Sequence, residues 1–168
     1  MDITIEPIGM TVLILLTGLS AGLCFTWSNA VTPGIGRLDD LGYLMSFQQM
    51  NRTIINPLFF VVFFGPTLLG FVNLYGFRNA ASSVIWLLII AITIYCIGVV
   101  LVTIFGNVPL NNMLETKELS SANPEDLKTL RATFEVKWNR LHLIRTFSST
   151  ISFLLFLIAL IEITKSNT

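Results

Sequence analysis

Four long apolar stretches limit what this chain can fold into. They run from about residue 8 to 27, 54 to 75, 84 to 105 and 143 to 162. A helix that crosses the hydrocarbon core of a bilayer needs about 20 such residues, because each residue advances about 1.5 Å. Only 12% of the 168 residues are charged, about half the share of a soluble domain. We therefore expect an all-α membrane protein, with four transmembrane helices in a bundle and a single domain over residues 1–168.

The fourth stretch continues a helix that starts in a polar segment. The run Asn123–Asp126 predicts a helix start, because Asn is a good cap, Pro fits the first turn and acids favour the N-terminus. Apolar side chains then recur on one helix face, at Leu127, Leu130, Phe134, Trp138 and Leu141. We expect one helix from about Pro124 to Ile161, extended outside the membrane.

Clusters of glycine and proline predict where the first and third helices end. Thr32–Gly36 and Gly106–Asn112 each contain a proline and at least one glycine, so both are expected to be loops. Residues from Arg37 onward again have a helical pattern. Pro66, inside the second stretch, predicts a kink because proline removes one backbone hydrogen bond.

Basic side chains collect in the two long connections, residues 29–53 and 106–140. Four spans put these connections on one side of the membrane and both termini on the other. Together with Arg145, the side of the connections holds eight of the ten basic residues, and only Arg78 and Lys165 lie on the terminal side. The positive-inside rule therefore predicts a multi-pass protein of the cell membrane with cytoplasmic connections.

Polar side chains from three helices are expected to meet at that same membrane face. They are Asn51, Arg52 and Asn56 near the second stretch, Asn107 and Asn111 after the third, and Asn139, His142, Arg145 and Thr146 at the fourth. Convergent polar groups between bundle helices are typical of a ligand site. The alternative is that these residues cap helices and bind lipid headgroups, with His142, the one histidine of the chain, merely interfacial.

Arg145 is the most unusual member of this group, since a charge at membrane depth usually faces the protein interior or a wet cavity. Glu135 lies about 15 Å away along the same helix, too far for a direct pair. We expect oxygen atoms of Asn56 or Asn107, carbonyls at the Pro109 turn, or a bound anionic ligand as its partners.

Other classes of site and partner are disfavoured. Cys24 and Cys96 lie within apolar runs and are expected to be small buried hydrophobes rather than a disulfide or metal pair. With one histidine and no cluster of His, Cys, Asp and Glu, we expect neither a metal nor another cofactor. Zero formal net charge gives no basic field for nucleic acid.

Three segments together resemble the anthrone oxygenase-like family of small integral membrane proteins. They are Met50–Pro57, Phe105–Asn111 and Phe134–Thr146, with sequences MNRTIINP, FGNVPLN and FEVKWNRLHLIRT. The resemblance covers about residues 10 to 162. It implies a four-helix membrane fold and, for some fungal members, oxidation of anthrones to anthraquinones without a recognised metal or flavin.

The chemistry of an anthrone determines which residues such a site would need. An anthrone is a flat, apolar, phenolic ketone, and loss of a methylene proton gives an enolate that reduces oxygen. His142 is the candidate base, and Arg145 or Arg52 could stabilise the enolate. The candidate substrate-binding residues are Asn51, Asn56, Asn107, Asn111, Trp138 and Asn139, with Phe134 as a further wall. The alternative is a non-enzymatic membrane protein that binds a lipid, a quinone or a partner subunit; the oligomeric state stays open.

Overall fold

The computed structural model describes residues 5–166, and these are mostly helical. The helices are α1 (Ile5–Thr26), α2 (Thr32–Ile35), α3 (Asp40–Ile54), α4 (Pro57–Gly76), α5 (Ser82–Tyr95), α6 (Val108–Glu115) and α7 (Pro124–Ser166). Three π-helical segments, Trp27–Val31, Cys96–Leu101 and Thr103–Asn107, connect α1 with α2 and α5 with α6. Four continuous helices are long and apolar enough to cross a membrane, namely Pro7–Ile35, Pro57–Gly76, Ser82–Glu115 and Pro124–Lys165. The predicted all-α membrane fold is thus confirmed.

The four long helices close into a bundle. Helix α1 contacts α4 and α7, and α5 contacts the same two helices. Buried apolar side chains such as Met10, Leu88 and Phe156 fill the end of the bundle away from α3 and α6. Large apolar side chains such as Leu68 and Phe71 point outward, as expected of a surface that faces lipid.

Helix α7 joins the membrane bundle to a second, extramembrane core. Its start is capped as predicted, because the Asp126 N–H donates to Asn123 Oδ1 at 2.9 Å. The helix then runs without a break for 43 residues, about 65 Å. Its first half packs with α3 and α6 around an apolar cluster that includes Tyr43, Phe47 and Phe134. The predicted extension of the fourth helix outside the membrane is confirmed.

Arg131, on the extramembrane part of α7, holds the turn between α2 and α3. Its guanidinium donates to the carbonyls of Gly36 and Leu38, both at 2.8 Å. It also pairs with Asp40 and Glu135, at 3.2 and 2.9 Å. A single cation therefore fixes the loop that brings α3 back onto α7.

The predicted loops at Pro33 and Pro109 are wrong, because the chain stays helical at both places. Each proline is the second residue after a five-residue π-helical segment, and it lies in the first turn of α2 or α6. A π-helical turn shifts the backbone hydrogen bonds from i→i−4 to i→i−5 and widens the helix, which leaves room for a proline that lacks an N–H. The π-helical segments thus let the first and third helices continue past their prolines. Pro66 likewise lies inside a continuous helix, α4.

Gly98 permits close packing of the Cys96–Leu101 segment on α7. A Cβ atom at Gly98 would overlap the Ser148 side chain. Nearby, the Ser152 hydroxyl donates to the Ala91 carbonyl at 3.0 Å. The helix that carries the third stretch is therefore fixed closely against α7, next to Arg145.

Candidate functional site

A cavity of about 250 Å³ lies between the helices at the end of the bundle nearest α3 and α6. All four long helices and α3 contribute to its wall. Aromatic rings make up much of that wall, and they belong to Trp27, Phe47, Phe59, Phe63, Phe64 and Trp138. The volume is just below the range of about 300–1,000 Å³ typical of drug-sized ligands. The cavity therefore suits a small, largely apolar molecule.

Polar side chains line one region of the cavity. They are Asn51, Thr103, Asn111, Asn112, His142 and Arg145. Side-chain hydrogen bonds place all of them except Asn112 in two connected groups, one around Arg145 and one around Asn111. A few polar groups in an apolar wall fix the orientation of a ligand.

The Arg145 guanidinium is the charge at this site. Its Nη1 donates to Thr103 Oγ1 at 3.3 Å, and its Nη2 donates to His142 Nδ1 at 2.7 Å. Its Nε is buried and has no hydrogen-bond partner. The guanidinium carbon also lies 5.2 Å from the centre of the Trp138 ring. None of the ion pairs among the described residues includes Arg145, so its charge faces only neutral groups.

The hydrogen bonds of His142 define its tautomer. Nε2 lies 3.0 Å from the Cys24 carbonyl oxygen, which can only accept, whereas a guanidinium can only donate. The ring is therefore neutral, with its proton on Nε2 and its lone pair on Nδ1 directed to Arg145. It is stacked on Trp138, with ring centres 4.9 Å apart and planes at 17°. His142 is thus held from three sides and accepts from Arg145.

Trp138, Asn111 and Asn51 form the second group. The Trp138 Nε1–H donates to Asn111 Oδ1, and Asn111 Nδ2 donates to Asn51 Oδ1, both at 2.9 Å. Because an indole N–H can only donate, the orientation of both amides follows from Trp138. The amide nitrogen of Asn51 is left without a partner in the part of the chain that the structure describes, so it is available to a ligand.

The structure brings five of the predicted site residues to the cavity and leaves four outside its lining. Asn51, Asn111, Trp138, His142 and Arg145 line it; Arg52, Asn56, Asn107 and Asn139 do not.

The positions of three of these four have a clear physical cause. Arg52 is 53% exposed and pairs with Glu115 at 2.6 Å. Asn56 caps α4, since its Oδ1 accepts from the Phe59 N–H at 3.0 Å. The buried Asn107 donates to the Trp138 carbonyl at 3.4 Å. These contacts place Arg52, Asn56 and Asn107 in structural roles at helix ends and between helices.

The protein groups expected as partners of Arg145 are wrong, while the expected anionic ligand stays a prediction. Thr103 and His142 take the places expected for Asn56, Asn107 and the Pro109 carbonyls. The cause is the continuation of the third helix, which carries Pro109 past Arg145 and brings Thr103 opposite to it. Thr103 lies inside an apolar run, where nothing in the sequence distinguishes it from a core residue.

Comparisons with known proteins identify a family. A family model described as anthrone oxygenase matches residues 58–155, which is more than half of the chain. That range includes Thr103, Asn111, Trp138, His142 and Arg145. Searches of curated proteins and of solved structures found no match. From the family match and the four helices that are able to cross a membrane, we conclude that this multi-pass membrane protein belongs to the anthrone oxygenase family.

Proposed function

We propose that this protein is a cofactor-independent oxygenase that acts on a small phenolic ketone of the anthrone class at the membrane interface. The observation that carries the proposal is the guanidinium of Arg145. It lines an aromatic cavity, and among the described residues no acid neutralises it and its buried Nε–H has no partner. A buried cation with an unused donor suits a ligand oxygen that becomes negative during the reaction.

Binding follows from the walls of the cavity. A flat aromatic ketone would lie among the rings of Trp27, Phe47 and Trp138, which contact one another with ring centres 4.8 to 5.8 Å apart. Its ketone oxygen would accept from Arg145, and a phenolic oxygen could accept from the free amide of Asn51. The planar guanidinium fork suits this recognition better than a lysine ammonium would.

Proton abstraction uses the bond between Arg145 and His142. In the free protein, Arg145 Nη2 occupies the His142 lone pair. A ketone oxygen that takes over this donor frees Nδ1, which can then accept the proton of the methylene carbon. The bond from Nε2 to the Cys24 carbonyl holds the ring and stabilises the imidazolium. Enolate formation is thus coupled to ligand binding.

Oxidation then needs only molecular oxygen. The enolate transfers one electron to oxygen, and the two radicals combine to form a bond between the former methylene carbon and oxygen. The proton held on His142 completes a hydroperoxide. Loss of water from this hydroperoxide, with the second hydrogen of the same carbon, leaves a carbonyl. One ketone and one O₂ thus give one quinone and one H₂O.

The proposal is tested by measuring oxygen uptake and quinone absorbance with 9-anthrone and the purified protein in lipid nanodiscs. Empty nanodiscs give the rate of spontaneous oxidation. We expect the protein to exceed that rate, Arg145→Leu to abolish the excess, and Arg52→Leu, at an exposed arginine outside the cavity, to retain it. Wild-type protein with the rate of empty nanodiscs would overturn the proposal.

One observation favours a second function, the binding of a quinone or another carbonyl ligand without turnover. The lone pair of His142 is already occupied by Arg145, so the resting site contains no free base. A wild-type protein that is thermally stabilised by anthraquinone, but does not raise the oxidation of anthrone, would support this function instead.

For the orientation we propose that α3, α6 and the first half of α7 lie in the cytoplasm. Support comes from the basic residues of this end, among them the exposed Arg37, Lys117, Lys128 and Lys137, which satisfy the positive-inside rule. Membrane lipid would then surround the bundle. The oligomeric state of the protein is a separate question.

A further inference from the structure

On the side of α3 and α6, the cavity is bordered by a set of polar contacts that we call the α3–α6 clasp. The Gln48 side chain donates to the carbonyls of Leu114 and Lys117, at 2.9 and 3.1 Å. Asn51 accepts from Asn111 at 2.9 Å, and Arg52 pairs with Glu115 at 2.6 Å. The clasp joins the two helices that lie between the cavity and the water on this side.

Six residues of the cavity wall are exposed, and five of them are apolar; the sixth is Asn112 on α6. Phe60, Phe64 and Ile104 line the cavity, yet they are 43%, 37% and 41% exposed. Phe60 and Phe64 come from α4, and Ile104 from the π-helical segment Thr103–Asn107. The opposite wall is buried and consists of α1 and α7 residues such as Cys24 and His142.

The packing of the helices explains this opening. Helix α4 contacts α5 and the Cys96–Leu101 segment, whereas the helix that follows, α6, contacts α3 and α7. The third long helix thus turns away from the start of α4 after Leu101. We call the gap between them, bordered by Phe60, Phe64 and Ile104, the lateral opening.

The lateral opening is at the depth of lipid. Phe64 is seven residues into α4, about 10 Å along the helix axis. Apolar side chains exposed at that depth contact acyl chains rather than water. A molecule dissolved in the bilayer would meet the apolar opening directly, whereas a molecule in water would first meet the polar end of the wall, at the α3–α6 clasp and Asn112.

We infer that ligands reach the cavity from the bilayer, through the lateral opening, and that they are flat apolar molecules with at least one oxygen acceptor. The apolar rim selects molecules that partition into lipid, and the donors of Arg145 and Asn51 at the inner end bind their oxygen. The inference rests on the proposed function for the identity of the ligand, but the route does not depend on turnover.

The native Cys24 reports on this route, because it is buried and lines the inner wall. In a Cys96→Ser chain in lipid vesicles, phenylmercury, which partitions into lipid, is compared with p-chloromercuribenzenesulfonate, a charged reagent applied from both sides. We expect phenylmercury to modify Cys24 and the sulfonate to leave it unmodified. Val62→Cys, at a second position in the cavity wall, should give the same result in a chain without Cys24 and Cys96.

Variants at the rim separate the opening from general permeation through lipid. Ile104→Trp fills the rim and should slow modification by phenylmercury severalfold. Phe105→Trp is the matched control, since Phe105 is adjacent and 75% exposed but does not line the cavity, so it should leave the rate unchanged. Gel filtration and thermal unfolding of both variants establish that they are folded.

Three results would overturn the inference. They are equal modification by the charged reagent, no modification of either thiol by phenylmercury, and equal rates in Ile104→Trp and wild type. A second copy of the chain that covers the opening would give the second of these results. Because thiol modification requires no oxidation of anthrone, failure of the route and failure of the proposed oxygenase activity are distinguishable.

Discussion

His142 and Arg145, three residues apart on α7, are joined by a hydrogen bond of 2.7 Å in which Nη2 donates to Nδ1. This bond occupies the lone pair that a general base would use. It also positions the guanidinium, whose Nε has no partner. The proposed activity therefore requires Arg145 to release the His142 nitrogen and to donate to the ketone oxygen of the ligand instead.

His142→Asn separates the two roles of the histidine. The Asn Oδ1 lies close to the position of Nδ1 and can accept from Arg145, but an amide cannot accept the proton. We expect ligand affinity and thermal stability close to wild type, with turnover lowered by about 10²–10⁴-fold, the usual contribution of a general base. Oxygen uptake at the wild-type rate in this variant would exclude His142 as the base. His142→Ala, which removes both roles, should also weaken binding.

Arg145→Leu and Arg145→Lys test the guanidinium. A buried charge without an acid partner stabilises the fold little, so Leu should be tolerated or should raise the melting temperature. Ligand binding should be lost in Arg145→Leu and weakened in Arg145→Lys, because a lysine keeps the charge but not the planar fork. Quenching of tryptophan fluorescence by anthraquinone measures the affinity. Unchanged affinity in Arg145→Leu would mean that Arg145 only connects Thr103 with His142 and does not bind the ligand.

Gly98→Ala should destabilise the bundle by about 1–3 kcal/mol, the usual cost of overpacking, because its Cβ would overlap Ser148. Gly22→Ala is the matched control, since a Cβ at Gly22 meets no atom within 4 Å. The double variant Gly98→Ala with Ser148→Gly should recover most of the loss. Thermal unfolding in detergent measures all three, and equal stability of Gly98→Ala and Gly22→Ala would contradict the close packing.

Arg131→Lys should destabilise the extramembrane core by about 1–3 kcal/mol, because a lysine keeps the charge but loses hydrogen bonds that the planar fork makes. The Arg131 side chain is only 16% exposed, and its planar fork contacts two carbonyls and two acids, which a lysine cannot match. Arg140→Lys, at an exposed arginine on the same helix, is the control and should be neutral. Equal unfolding temperatures for the two variants would contradict the role of Arg131.

The orientation can be tested with single cysteines at Ser121 and Ser166 in a chain without Cys24 and Cys96. Four spans place these two positions on opposite sides of the membrane. A charged maleimide added to intact cells should therefore label Ser166→Cys and leave Ser121→Cys unlabelled until the cells are opened. Labelling of both from outside would contradict the four-span arrangement.

The sequence allowed the helices to be predicted better than their ends. Apolar length and the capping run at Asn123 have local causes, so the four spans and the start of α7 were predictable. Pro33 and Pro109 were read as helix stops, because a π-helical segment that admits a proline has no clear signal in a single sequence.

Only part of the site could be predicted from the sequence. Asn111, Trp138, His142 and Arg145 could be found, because polar residues next to apolar stretches are conspicuous. Arg52 and Asn56 were equally conspicuous, but only the folded arrangement shows that one pairs with Glu115 and the other caps α4. Thr103 and Phe47 reach the cavity through the course of the third helix and through the packing of α3, both of which are tertiary effects.

The central claim is that Arg145 and His142 together convert a bound anthrone to its enolate, and anaerobic absorption spectroscopy tests it most directly. Without oxygen the enolate cannot react further, and it absorbs at longer wavelength than the ketone. We predict that wild-type protein in nanodiscs at neutral pH produces the enolate band on mixing with 9-anthrone, and that Arg145→Leu and His142→Asn do not. A spectrum of unchanged ketone with folded wild-type protein, or an enolate band of full intensity with Arg145→Leu, would contradict the account.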